Sequence, residues 1–273
     1  GYRQTHGWAR TRLVYFAMTF SQPITNYGHK KYDKAKYNGF YRRFDEETNF
    51  PEMAGKNIRA YFDFDTGTNT EVKVKFALSS VSTAGALNNL RTEIPHWDFN
   101  LVKEETKRKW NEELSKVEVE TLTEEQKTSF YTALYHTMLS PILYEDVDGR
   151  YRGLDQNIHE SDGFTNYTIF SLWDTYRAAN PLYTIIHQDR VNDVVNTMLA
   201  IYKEQGKLPV WHLMGNETNT MVGYHAVPVV VDAYLKGYRG YDINLAYEAV
   251  KQSAMQKTDG IGYIQQLKYI PAE

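Results

Sequence analysis

Apolar residues alternate with period two in three runs among the first 82 or so positions, and after Pro95 they recur every three or four. That switch predicts a multidomain β + α protein, an antiparallel sheet followed by helices. With 42% hydrophobic and 24% charged residues in 273, the chain has material for a buried core and is not a disordered segment. The boundaries read as 1–92 for a β-sandwich domain present in its C-terminal part, 93–121 for a helical connector and 122–273 for a helical domain.

The first strand is expected over Arg12 to Phe20, with Val14, Phe16, Met18 and Phe20 on one face and Pro23 closing it. Ile58, Ala60, Phe62 and Phe64 alternate again. Asp65-Thr66-Gly67-Thr68-Asn69 supplies turn residues, and Val72, Val74, Phe76 and Leu78 resume the alternation, so the two runs are expected to pair as a hairpin with one buried face. Phe99, Val102, Thr106, Trp110 and Leu114 then form the stripe of an amphipathic helix. Thr123 and Gln126 make a capping box for a helix carrying Phe130, Leu134 and Met138, stopped by Pro141. Further helices are expected at Arg190 to Gln205 before Gly206, at Val227 to Lys236 before Gly237, and at Ile243 to Met255 behind the N-cap Asp242. No strand pattern intervenes, so this second region is expected to be all-α.

Composition excludes some functions. A formal charge of −3, with cations scattered among acids, offers no field for nucleic acid or an anionic membrane. Cysteine is absent, so disulfides and thiolate metal sites are excluded, and no His-Glu-x-x-His pattern suggests zinc. There is no run of eighteen apolar residues and no signal-peptide pattern. The chain opens on Gly1 without an initiator Met, so the expectation is a piece of a longer polypeptide whose remainder is a partner. The 22 Tyr and 5 Trp suit stacking on sugar rings as well as core filling.

Chemistry concentrates in Leu208-Pro209-Val210-Trp211-His212-Leu213-Met214-Gly215-Asn216-Glu217-Thr218, followed by Gly223-Tyr224-His225-Ala226. Glycines there permit backbone conformations that aim a carboxyl group into a cleft, which makes Glu217 the first catalytic candidate. The competing reading is that Glu217 caps a helix or pairs with Arg177 or another cation. This loop, with Phe170-Ser171-Leu172-Trp173-Asp174-Thr175-Tyr176-Arg177-Ala178 upstream, resembles the signature of glycoside hydrolase family 92, the calcium-dependent exo-acting α-mannosidases. The likeness runs from Tyr15-Phe16-Ala17-Met18 through Trp110-Asn111 and Phe130 to Tyr135, to the closing Ile270-Pro271-Ala272-Glu273.

The resemblance implies a β-sandwich, a helical connector and an (α/α)6 barrel, the sandwich and the barrel both partial here. It also implies an inverting mechanism acting on terminal α-mannosides such as α-1,2-linked mannose of N-glycans, and a periplasmic or secreted bacterial location. Inversion needs one carboxylic acid and one carboxylate base roughly 6.5–9.5 Å apart. Glu217 matches the acid, with burial beside Trp211 and Tyr224 expected to raise its pKa. The base belongs to a Gly- and Asp-rich motif that does not occur before Glu273. Trp173, Asp174, Trp211, Asn216 and His225 are candidates for contacting sugar, four of them with a plain alternative: core packing for the two Trp, helix capping for Asp174, a satisfied core position for His225, which otherwise bonds a hydroxyl or orients Glu217. His212 stands where relatives carry an acidic residue, which bears on linkage preference. Calcium takes six to eight oxygen ligands, and Asn216, Thr218 and Asn219 are its candidates. Asp146-Val147-Asp148-Gly149 is too short for a calcium loop and reads as a turn. Asn166-Tyr167-Thr168 and Asn216-Glu217-Thr218 fit the glycosylation pattern, which is frequent by chance. A carbohydrate-binding or scaffold piece without turnover is the competing function.

Overall fold

The computed structural model describes residues 1–31, 40–45, 50–55, 58–68, 70–120, 123–258 and 260–272. Asn69 of the expected turn and the closing Glu273 lie outside them. The described chain holds mixed β and α structure in small antiparallel sheets. It divides into two compact units, Gly1–Ala17 with Ala77–Glu273, and Met18–Phe76.

The strands of the first part are β1 (Tyr2–Thr5), β2 (Arg12–Phe20), β3 (Asn26–Lys31), β4 (Phe40–Asp45), β5 (Phe50–Gly55), β6 (Ile58–Asp63) and β7 (Val74–Ser79). β2 has the bounds its alternation predicts. The expected hairpin between the last two runs is not formed. β6 pairs antiparallel with β3, Phe62 opposite Tyr27, whereas β7 belongs to a sheet of order β1-β2-β7. Val74, Phe76 and Leu78 lie on the exposed side of β7, so the alternation locates the strand but not its buried face. Within Met18–Phe76, Phe20 packs on Phe62 and Phe64 with centroids 5.1 and 5.0 Å away.

The helices are α1 (Thr83–Glu93), α2 (Phe99–Leu114), α3 (Glu124–Thr137), α4 (Leu172–Thr175), α5 (Ala179–Ile186), α6 (Gln188–Gln205), α7 (Ala226–Leu235), α8 (Ile243–Met255) and α9 (Ile261–Leu267). Local caps set their ends where the sequence places them. Thr123 Oγ1 accepts from the Gln126 N–H at 3.2 Å, Asp242 accepts from Leu245 at 3.0 Å, and Gly206 turns left-handed at φ 80° to close α6. α1 starts just after the residues read as sheet, where the sequence reading expects no helix. Ser82 Oγ caps it at the Gly85 N–H, and Asn89 ties it to the buried Asp146, which Ser79 Oγ also reaches at 2.7 Å. Burial pushes the Asp146 carboxyl above its ordinary pKa. Asp146 to Gly149 is a turn, as expected, with the Gly149 N–H donating to the Asp146 carbonyl at 2.8 Å.

The all-α expectation for the second part fails in its loops. Short strands β8 (Ile142–Leu143), β9 (Arg150–Arg152), β10 (Ile158–Glu160), β11 (Tyr167–Thr168), β12 (Phe170–Ser171) and β13 (Trp211–His212) pair two by two. Strands of two or three residues carry too little alternation to read as a period, and of the three pairs only β9 with β10 joins near neighbours in sequence. The core lies around α6, where Val191, Val194, Val195, Met198 and Leu199 meet Leu172, Leu208, Val229, Val230, Ala246 and Ala249. Met198 is fully buried, and truncating such a side chain to Ala costs about 2–5 kcal/mol. This core supports β12, β13 and the loop that follows.

Candidate active site

β13 enters a tight hairpin. The Leu213 N–H donates to the Asn216 carbonyl at 2.8 Å, the Asn216 N–H returns a bond to Leu213 at 3.1 Å, and His212 bridges to Glu217. The two central residues, Met214 and Gly215, have φ of 47° and 69°. Positive φ at both centres is the pattern of a type I′ turn, which suits the right-handed twist of its strands and favours Asn-Gly. Met214 takes the first centre at a local cost of about 1–3 kcal/mol, so the surroundings must hold it there. The Met214 N–H donates to Thr168 Oγ1 at 2.7 Å, and Asn216 Nδ2 reaches the Met214 carbonyl at 2.9 Å. A Cβ on Gly215 would stand 3.0 Å from the Arg152 carbonyl oxygen, a close approach that adds to the positive φ in favouring glycine there.

Glu217 leaves this hairpin half-buried. Its Oε1 accepts from the backbone N–H groups of Trp211 at 2.8 Å and Asn219 at 2.9 Å, and Oε2 from Val210 at 2.8 Å. The apolar enclosure expected from Trp211 and Tyr224 is not its environment. Tyr224 is exposed, and the contacts on the carboxyl oxygens are main-chain donors of its own loop. The alternative of a pair with Arg177 is not realised either, since that guanidinium lies 4.6 Å over the Trp173 ring and 5.2 Å over Tyr176.

The upstream motif forms a stack. Tyr176 lies flat on His225, centroids 4.3 Å apart and planes 4° apart, so Trp173, Arg177, Tyr176 and His225 follow one another ring over cation over ring. Burial, then the Arg177 charge, lowers the His225 pKa, against a hydrogen bond to the Val222 backbone. His225 therefore packs on Tyr176 and does not orient Glu217. Asp174 is exposed and accepts a hydrogen bond from Ser171 Oγ in the first turn of α4, a local use close to the capping alternative. His212 is buried, with Nδ1 3.1 Å from Thr168 Oγ1, and burial pushes its pKa down to about 3, so it is a neutral structural imidazole.

Trp211 has a partner that sequence reasoning missed. Trp8 meets it edge-on, centroids 6.5 Å apart at 73°, with 71% of Trp8 exposed. Thr11 was missed too: its N–H donates to Asn216 Oδ1 at 3.1 Å and its carbonyl accepts from Asn216 Nδ2 at 2.9 Å. Neither residue carries a local signal, because each gains meaning only when the N-terminal segment reaches the loop. Asn166 and Asn216 of the two glycosylation-like tripeptides are both buried, with amides already bonded to main-chain carbonyls.

The family model described as "Glycosyl hydrolase family 92 catalytic domain" matches residues 85–273, more than half of the chain, and the one described as "Glycosyl hydrolase family 92 N-terminal domain" matches residues 1–79. The chain belongs to glycosyl hydrolase family 92. Among solved structures it is similar to the family GH92 α-mannosidase BT3965 from Bacteroides thetaiotaomicron, at 39% identity and a TM-score of 0.88 over 99% of this chain and 36% of that one. A structure of that same α-mannosidase in complex with mannoimidazole is matched at 38% identity, 99% of this chain, 35% of that one and a TM-score of 0.88. The family GH92 inverting mannosidase BT2199 from the same organism shares 27% identity over 98% of this chain and 36% of that one, with a TM-score of 0.82. An uncharacterized secreted glycosidase of Arthroderma benhamiae is 27% identical over 78% of this chain and 25% of its own length. The chain thus spans about a third or less of the length of the relatives it matches.

Calcium, implied by the family 92 resemblance, does not fit the three side chains expected to hold it. Asn216 Oδ1 is taken by the Thr11 N–H, Thr218 Oγ1 donates to the Trp211 carbonyl at 2.9 Å, and Asn219 Oδ1 lies 3.4 Å from the Lys207 ammonium. A cation beside an ammonium, without converging carboxylates, lacks the charge that such a site needs. Among the described residues, no three acidic, His or Cys side chains gather as a metal cluster.

Proposed function

We propose that the protein to which this chain belongs is an exo-acting, inverting α-mannosidase that removes terminal α-mannose, such as α-1,2-linked mannose of N-glycans. The supporting observation is Glu217, a fixed carboxyl group on a strained hairpin beside Trp211 and the exposed Trp8, in a family 92 chain that resembles an α-mannosidase and an inverting mannosidase. Aromatic faces suit the apolar side of a pyranose. The helices are then the first part of an (α/α)6 barrel and the strands part of a sandwich, with boundaries at 1–92, 93–121 and 122–273. The mannoimidazole complex of a relative and the secreted glycosidase relative support a mannose-type ligand and a secreted or periplasmic site of action. No described helix is long and apolar enough to cross a membrane.

In this reading Glu217 gives a proton to the leaving oxygen. Oε1 accepts two main-chain donors and Oε2 one, so Oε2 has the lone pair for the proton that is passed on. Water attacks the anomeric carbon from the opposite face and gives its proton to a second carboxylate outside these residues. Trp173, Asp174 and His225 form the neighbouring wall, with Asp174 available to a sugar hydroxyl. Chelation of calcium stops turnover in this reading, through ligands other than Asn216, Thr218 and Asn219.

The test is Glu217→Gln in the intact protein. As a general acid, Glu217 gives a loss of about 10²-fold or more on an alkyl α-mannoside, and a much smaller one on a dinitrophenyl mannoside, whose leaving group needs no proton. Equal losses on both, with a lowered melting temperature, would make Glu217 a loop clamp and overturn the assignment.

A further inference from the structure

Of the five described non-glycine residues with positive φ, four gather at the Glu217 hairpin: Met214 within it, Asn219 just after it, Ile169 beside the paired strand β12, and Gln156. Gln156 lies 59 positions before the hairpin, yet its Nε2 donates to the Gly215 carbonyl at 2.7 Å, the second centre of the turn. Its own backbone is pinned. The N–H donates to the Gly153 carbonyl at 3.1 Å, and its carbonyl accepts from Arg152 Nη1 at 2.8 Å. Arg152 Nε is anchored on the Ser80 carbonyl at 3.0 Å. Residues held in left-handed backbone persist where surroundings over-determine them, and here that surrounding points one amide at one carbonyl.

We propose that Gln156 is a positioning residue for Glu217, and this rests on the general-acid reading of that carboxyl group. Glu217 is the first residue after the turn, bridged to His212. A peptide plane at Gly215 that rotates shifts the return strand, and in a hairpin a small slip re-aims every side chain on it. Thr168 fixes the Met214 N–H and Asn216 fixes the Met214 carbonyl; the following plane is held at its N–H end by the turn's own bond from Asn216 to the Leu213 carbonyl at 3.1 Å and at its carbonyl end by the Gln156 amide, the one bond to it that comes from outside the hairpin. The geometry assigns Gln156 no contact with substrate; it acts through the turn.

The experiment compares Gln156→Met, which keeps the length and removes the donor, with Gln156→Lys, which restores a donor of similar reach, using Glu217→Gln as the benchmark in the intact protein. The expected result for Gln156→Met is a fall in kcat on methyl α-mannoside of about 10- to 100-fold, the scale of a misplaced group, with KM little changed and a much smaller loss on a dinitrophenyl mannoside. Gln156→Lys should recover most of the rate. Should Gln156→Met fail to fold, Gln156→Asn, which keeps the amide but cannot reach, is read in the same way. A loss equal on both substrates while Glu217→Gln discriminates between them, or a Gln156→Met enzyme with unchanged kcat, overturns the inference. If Glu217→Gln itself does not discriminate, the general-acid reading has failed, and the inference then stands only if Gln156→Met reproduces that flat profile and falls if it does not.

Discussion

Asn216 and Thr11, 205 positions apart, exchange two hydrogen bonds, 3.1 Å from the Thr11 N–H to Oδ1 and 2.9 Å from Nδ2 to the Thr11 carbonyl. Asn216 is 8% exposed, so its removal strands main-chain groups away from water. Asn216→Ala should destabilise the protein by about 2–3 kcal/mol in urea unfolding. Asn216→Asp should do no better, since a carboxylate cannot donate to two carbonyls. An Asp variant as stable as the parent would show that the two bonds donated by Nδ2 do not hold the loop.

Gly215 and Gly206 share a left-handed backbone but not their surroundings. Gly206→Ala meets nothing within 4 Å and should cost about 1–2 kcal/mol, the intrinsic penalty of that conformation. Gly215→Ala adds close approaches to the Arg152 and Gly153 carbonyls at 3.0 and 3.1 Å, so it should cost more and lower activity as well. Equal melting temperatures for the two variants would contradict this.

Trp8 is exposed and touches Trp211 at its edge. Trp8→Ala should leave the melting temperature almost unchanged and raise KM for an α-mannoside by roughly 3- to 10-fold, the loss of one aromatic contact. A change in kcat with KM constant would place Trp8 outside the sugar-binding surface.

His212 ties stability to pH. Its folded pKa of about 3 lies below its ordinary value of 6.5. Between those limits the unfolded chain binds the proton and the folded one does not, so the His212 contribution is present above pH 6.5 and lost as pH falls toward 3, by at most about 1.4 kcal/mol per unit. His187 and His225 are shifted in the same direction by burial and remain in a His212→Gln variant. The stability difference between parent and variant should therefore shrink from pH 7 to pH 4. A constant difference in chemical denaturation would mean that His212 titrates normally.

Asn219 and Thr218 bond within their loop, and Asn219 faces Lys207. Asn219→Ala and Thr218→Ala should leave the response of the intact protein to calcium and to chelator unchanged, measured as activity against free calcium. A tenfold or larger shift in the half-saturating concentration, equivalent to roughly 1.4 kcal/mol of lost binding, would restore them as ligands.

The sequence by itself determined what is decided within one turn of chain. Thr123 with Gln126, Asp242 with Leu245 and Gly206 mark helix ends because a cap is satisfied three or four residues away. Alternation located β2 and β7, and the crowded loop around Glu217 announced itself by composition and family resemblance. Tertiary structure decided which partners these pieces take. β6 pairs with β3 and not with the run that follows it, and period two says nothing about a partner. Val74, Phe76 and Leu78 are exposed although their pattern expects burial. Only the fold brings Thr11, Trp8, Thr168 and Gln156 to the hairpin, and only there does Asn216 become a clamp between the loop and the N-terminal segment. The physical reason is that a side chain's hydrogen-bonding capacity is finite and is spent on whichever groups folding places nearest.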